Sequence, residues 1–174
     1  MSLLLAVSLL LQAGAYPGDL AAGQLLVASE KSRDPDFAKT VVLLIQFDNH
    51  GAAGLILNRR LKGGQDAVYA GGPLALGMHA LLRSRIKPEE STHLFADVYL
   101  VSGEKLVKKM SSSGARPASF RVFAGYAGWT QQQLKNEVAA GLWHVLSGDS
   151  ALVFDANADS MWSRQMARGL RRAN

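Results

Sequence analysis

The chain has 174 residues, 48% hydrophobic and 19% charged, with 5 prolines and no cysteine. That balance describes one globular domain with a buried core and excludes disordered, collagen-like and coiled-coil chains, disulfide scaffolds, thiolate metal sites and cysteine nucleophiles. The 19 Lys and Arg outnumber the 14 Asp and Glu, for a net charge of +5, and four arginines (Arg164, Arg168, Arg171 and Arg172) crowd the last eleven residues, so much of the excess is a property of the C-terminus.

Residues 1–15 carry no charged side chain, and Leu3 to Leu11 is a nine-residue apolar run followed by Ala13-Gly14-Ala15. An apolar run ending in a small-x-small site is the layout that signal peptidase reads. The expectation is a signal peptide over 1–15 and an exported, periplasmic or secreted product; the alternative is a cytoplasmic chain that keeps an N-terminal helix. The run is about half of the roughly 20 apolar residues a bilayer-spanning helix needs, so no stable span is expected in the mature chain. Residues 16–24 read as a Pro/Gly connector and 25–174 as a single domain.

Leu25 to Ser29 reads as the first strand, and Asp34-Pro35-Asp36 punctuates the chain after it. Thr40 to Phe47 is β-branched and apolar on both faces, the pattern of a strand buried on two sides and the expected centre of the sheet. Asp48-Asn49-His50-Gly51 supplies turn residues before Ala53 to Asn58, so the pair reads as a hairpin. Leu61 to Asp66 reads as a loop, Ala67 to Ala70 as a short run, and Gly71-Gly72-Pro73 as a backbone-dominated bend. Met78 to Leu82, Leu94 to Val101 and Ser119 to Phe123 are expected strands. Ser111 to Gly114 reads as a mobile loop. Thr130 to Gly141 is expected to be helical, with Thr130 as N-cap, Leu134 and Val138 on one face and Gly141 as the stop. Ala151 to Phe154 reads as a last short strand. Ser160 to Arg172 reads as a helix with Met161, Trp162, Met166 and Leu170 on one side and the four arginines around the other.

Several of these blocks share an order with a known family. Asp34-Pro35-Asp36-Phe37 precedes Thr40 to Leu44, and Gly51 to Arg59 follows. Then come Gly71-Gly72-Pro73, Arg121 to Trp129, Gln133-Leu134, Glu137, Trp143, Phe154-Asp155 and Trp162. From Leu25 to Trp162 the chain resembles the AlgH/YqgE family. The resemblance implies an α+β domain in which a bent, bifurcated, mostly antiparallel sheet forms a pseudo-barrel flanked by helices. Family members are commonly labelled transcriptional regulators. Two features depart from the pattern: Arg60 stands where proline usually follows, and an export-like leader is present, which is hard to reconcile with direct action on chromosomal DNA.

Two regions are candidate ligand sites. Gly125 to Trp129 joins a strand to a helix, where the glycines permit a bend and Tyr126 and Trp129 either line a pocket or plug the end of the barrel. A helix N-terminus beyond Trp129 would favour an anion if it opened onto a cleft. Asn58 and Arg59 end the second apolar strand and could hold a carboxylate or phosphate in fork geometry, or else serve local backbone and solvent. Gly71 and Gly72 could let a ligand approach the backbone, although without a following Lys and Ser/Thr they are no phosphate loop.

His50, His79, His93 and His144 show no metal-ligand spacing, so no metal is expected. Neither a nucleophile elbow nor a dinucleotide fingerprint occurs, so no cofactor is expected either. Glu137 reads as a capping or salt-bridging carboxylate. The basic terminal helix, through Arg164, Arg168, Arg171 and Arg172, is the only feature that would suit nucleic acid, and its apolar stripe argues for packing. The reading is a non-enzymatic regulatory or binding module that contacts a protein partner or a small ligand. The alternative is a hydrolase-like enzyme acting on a small anionic substrate.

Overall fold

The computed structural model describes residues 20–61, 68–112 and 119–172. The expected signal peptide, most of the Leu61 to Asp66 loop, the end of the Ser111 to Gly114 segment and the side chains of Leu170, Arg171 and Arg172 lie outside the described residues.

Alternate residues of the two most apolar strands enter different cores. In β1 (Leu25–Ala28) and β2 (Val41–Asp48), Leu25, Val27, Val41, Leu43 and Ile45 pack on one side, and Leu26, Ala28, Val42 and Leu44 on the other. Burial of each Leu, Ile or Val contributes about 1.5–3 kcal/mol, so two-sided burial makes β2 the strand least able to leave the sheet. Antiparallel to β2 runs β3 (Gly51–Ile56), in register from Val42↔Ile56 to Asp48↔Gly51 with an irregularity between Leu44 and Gln46. The expected hairpin and its turn are therefore present.

The remaining elements are β4 (Val68–Ala70), β5 (Leu74–Arg83), β6 (Thr92–Phe95), β7 (Val98–Ser102), α1 (Glu104–Ser111), β8 (Phe120–Trp129), α2 (Gln131–Ala139), β9 (Trp143–Leu146), α3 (Ser150–Val153) and α4 (Met161–Arg172). Among the described residues nine strands form one sheet in the order β6-β7-β5-β8-β3-β2-β1-β9, with β4 joined to β8 off that path. The class is α+β, and all pairings are antiparallel except β4 with β8. The sheet is not closed: β6 and β9 are its ends.

The bifurcation lies in β8. Its Val122 to Ala124 segment runs parallel to β4, its Ala127 to Trp129 segment antiparallel to β3, and β5 follows the opposite edge. The change of partner falls at Gly125, whose φ of 71° is open to glycine at little steric cost. Gly71 and Gly72 allow the fork to close: a Cβ on either would stand 2.2 Å from backbone atoms of β8. Helices cover the faces: α3 and α4 lie on the first core, α2 on the second and α1 on a third built from Ala80, Val101, Val107, Phe120 and Val122.

Four local expectations are corrected. Ala151 to Phe154 is not a strand: α3 forms there because Asp149 Oδ1 accepts the Leu152 amide at 3.2 Å as an N-cap, and four apolar residues are too few to set a period. Leu94 to Val101 is two strands, not one, because Ala96 takes φ of 45° and turns the chain between β6 and β7. The Gly125 to Trp129 stretch is the second half of β8, so the passage to α2 comes only at Thr130. Thr40 to Phe47 is buried on both faces but is not the centre of the sheet: β8 and β3 are, because β8 pairs with three strands while β2 lies two places from the β9 end. The helix α1 and the strand β9 are present where no element was expected.

Candidate functional site

The hairpin turn between β2 and β3 is built by local polar bonds. Asp48 accepts from the Gln46 amide at 3.1 and 3.0 Å and from the His50 backbone N–H at 2.7 Å. The Gln46 bond, then the His50 bond, hold the Asp48 carboxyl below the usual carboxylate range. Across the sheet, Ala52 pairs with Trp129, which brings the turn beside the start of α2. There Thr130, extended at φ −67° and ψ 154°, accepts the Gln133 amide at 3.0 Å and caps the helix as expected. Asn49, His50, Gly51, Gly128, Trp129, Thr130, Gln131 and Gln133 line an open cleft of about 390 Å³ between turn and helix.

Behind this cleft is an aromatic cluster. The Trp129 ring stacks on Phe37 at 5.3 Å and meets Trp143 edge-on at 6.0 Å, and Phe37 meets Trp143 edge-on at 5.4 Å. Glu137 joins the two indoles: its Oε2 accepts from Trp129 Nε1 at 3.1 Å and from Trp143 Nε1 at 2.8 Å, while Oε1 accepts from Gln133 Nε2 at 3.0 Å. This carboxylate holds aromatic N–H groups, where the sequence suggested a cap or a salt bridge. Trp129 is buried at 6% exposure, so its ring forms the wall between the cleft and the second core.

Beside the cleft the surface becomes apolar. Leu74 pairs with Tyr126 across β5 and β8, and a Cβ on Gly128 would come within 2.9 Å of Leu74 Cδ1. Leu74 is 41% exposed and Leu76 66%. Pairing of β5 with β7 runs only from His79 to Arg83, so Leu74 to Gly77 project past the end of β7. His79 closes the patch, its ring 5.9 Å from Tyr126 and its Nδ1 3.0 Å from Ser102 Oγ; burial pushes its imidazole below the ordinary value of 6.5.

The sequence-derived site residues divide into two groups. Gly71 and Gly72 pack on Gly125 to Ala127, and so lie with Tyr126 and Trp129 on the β8 side of the fork. Asn58 and Arg59 lie past the far end of β3, six or seven residues from Ala52, a span of about 20 Å in extended chain. Asn58 accepts the Val41 amide at 2.9 Å and donates to the Lys39 carbonyl at 2.9 Å, and Arg59 donates to the Pro35 carbonyl at 3.1 Å. Both therefore tie the 34–39 loop to the sheet. In α4, Arg164 pairs with Asp155, and Arg168 reaches Asp149 and Gln165 at 3.4 and 3.0 Å. Among the described residues no three His, Asp or Glu side chains gather as metal ligands do, and no helix is long and apolar enough to cross a membrane.

A family model described as AlgH-like matches residues 25–171. The chain belongs to the AlgH-like family. Relatives of this AlgH-like chain carry the name UPF0301 protein. One from Sphingopyxis alaskensis is 31% identical over 162 residues, covering 83% of this chain and 87% of the relative. Another from Caulobacter vibrioides is 30% identical over 171 residues, covering 87% and 88%. The solution structure of the AlgH protein from Pseudomonas aeruginosa superposes with a TM-score of 0.70 at 24% identity, covering 90% of each chain, which shows a shared fold.

One group was missed as a unit. Arg121, which opens the block from Arg121 to Trp129, is buried at 5% exposure and converges with Arg60 and Tyr69. The available signal was parity: a lone arginine one residue after Phe120 and two before Phe123 has to point into one core or the other.

Proposed function

We propose that this AlgH-like protein is a non-enzymatic binding module that contacts a protein partner through the face formed by Leu74, Leu76, Tyr126 and the cleft before α2. The observation that carries this reading is the row of exposed apolar side chains at the start of β5, past the end of β7 and next to an open, polar cleft. Such a strand edge offers backbone hydrogen bonds and alternating side-chain pockets to an extended segment of a partner. The hydrolase alternative is weaker, because both carboxylates beside the cleft are already engaged in local bonds, Asp48 by the Gln46 amide and the His50 N–H and Glu137 by two indoles and one amide, which opposes a role as a free general base.

The test is a photo-crosslinking residue placed at Leu76 in producing cells, with Lys135 as the control position. A discrete adduct formed from position 76 alone, and abolished by Tyr126→Ala without loss of thermal stability, supports the proposal. Identical adducts from both positions, or an adduct that survives Tyr126→Ala, refute it. The proposal includes export of the mature chain, for which the N-terminus of the secreted or periplasmic pool is Tyr16.

A further inference from the structure

A second polar group lies on the first core, at the far end of the sheet from the cleft. Side chains alternate along β8: Phe120 and Val122 join the third core and Phe123 the first, so Arg121 is directed to the first core. Its guanidinium lies over the Tyr69 ring at 4.8 Å from the centroid, and Arg60, exposed and joined to Tyr69 by an isolated antiparallel bridge, approaches the same ring at 5.7 Å. Arg60 Nε donates to the Tyr69 hydroxyl at 3.2 Å and its Nη2 to the Ala156 carbonyl at 2.7 Å. Arg121 Nη2 donates to the Asp155 carbonyl, and its Nη1 is buried with no hydrogen-bond partner. The Asp155 carboxylate is engaged by Arg164. Among the described residues neither Arg60 nor Arg121 stands within ion-pair distance of a carboxylate.

Among the described residues two guanidinium groups thus share one aromatic ring with no carboxylate at ion-pair distance, and the one opposing carboxylate charge that reaches Arg121, that of Asp155, is already paired with Arg164. Burial, opposed by Tyr69, reinforced by Arg60 and opposed again by the Asp155 carboxylate, pushes the Arg121 guanidinium below its ordinary value, yet arginine stays protonated in proteins. A buried cation with an unanswered N–H is the most expensive kind of unsatisfied donor and calls for an acceptor.

We propose that Arg60 and Arg121 form a seat for a phosphate dianion, either inorganic phosphate or a phosphate monoester. Arg121 Nη1 and Arg60 Nη1, the guanidinium nitrogens not spent on Tyr69, Ala156 or Asp155, donate to its oxygens beside the Tyr69 ring. Two positive charges with no carboxylate at ion-pair distance among the described residues suit the roughly −1.5 to −2 that a phosphate monoester carries near neutral pH, and planar forks fit its oxygens better than point charges do. Arg60, as the exposed member, supplies the way in. The site is separate from the partner-binding face and does not depend on it.

The experiment is calorimetric titration and thermal melting of the full chain at constant ionic strength, with inorganic phosphate, phenyl phosphate and acetate as probes. Phosphate should bind saturably and raise Tm, acetate should do neither, and Arg121→Met should weaken phosphate binding by about tenfold or more. Arg60→Met, made on an exposed side chain, gives the same readout should Arg121→Met fail to fold. Tighter binding of phenyl phosphate assigns an ester ligand and weaker binding assigns free phosphate; either supports the seat. An equal response to acetate, an equal response in the variants, or no saturable phosphate binding by the unmodified chain overturns it.

Discussion

Glu137 and Arg121 are both charged side chains set against apolar cores, one on each face of the same sheet, and they are treated in opposite ways. Glu137 accepts from two indoles and an amide, so its charge is spread over three donors. Arg121 donates to one carbonyl, stacks on a tyrosine beside a second arginine and keeps an unpartnered nitrogen. A closed polar network fixes its surroundings, whereas an open one costs stability and reserves capacity for a ligand. The first region accordingly reads as scaffold and the second as the place of the proposed phosphate seat.

The contrast fails if the two residues respond alike to removal. Glu137→Ala strands the indole N–H groups of Trp129 and Trp143, both buried, and should cost about 2–4 kcal/mol in denaturant unfolding. Next in size is Asn58→Ala, which frees the Val41 amide and the Lys39 carbonyl and should cost about 1–2 kcal/mol by the same measurement, marking Asn58 as scaffold with Glu137. In phosphate-free buffer Arg121→Met should lie within about 1 kcal/mol of the parent or above it, because a buried charge with an unpartnered N–H and no carboxylate at ion-pair distance is replaced by an apolar side chain of similar length. Were Arg121→Met to cost as much as Glu137→Ala, the open group would be scaffold too.

The smallest effect is pH-dependent. Because burial lowers the His79 value from 6.5, the unfolded chain binds this proton more readily than the folded one. The His79 contribution is therefore fully present above about pH 6.5 and declines as pH falls through the window between the unfolded and the lower folded value. His79→Gln should flatten that part of the curve of Tm against pH. An unchanged curve would show that the patch beside Tyr126 does not sense protonation.

Much of the frame was legible because it rests on short-range physics. Two-sided burial of β2 follows from an apolar run without alternation, the hairpin from Asp48 to Gly51, and the α2 boundaries from Thr130 and Gly141. The misreadings have local causes as well: α3 hangs on a single aspartate cap, and the β6–β7 turn on a left-handed alanine that nothing in the composition marks. Of the proposed ligand residues, Tyr126 and Trp129 stay near the cleft, whereas Asn58 and Arg59 are spent on backbone carbonyls and an amide. Their fork chemistry was readable; the loop they hold was not.

The sequence by itself determined the family, the antiparallel character and the two-sided burial of β2, because hydrophobic period and turn chemistry act over a few residues. Only the tertiary structure decided which polar groups are answered. Residues 60 and 69 lie far along the chain from 121 and 155, and they meet because β8 forks at Gly125, with β4 on one half and β3 on the other. Whether a buried charge finds a partner depends on such convergence, and no local pattern encodes it.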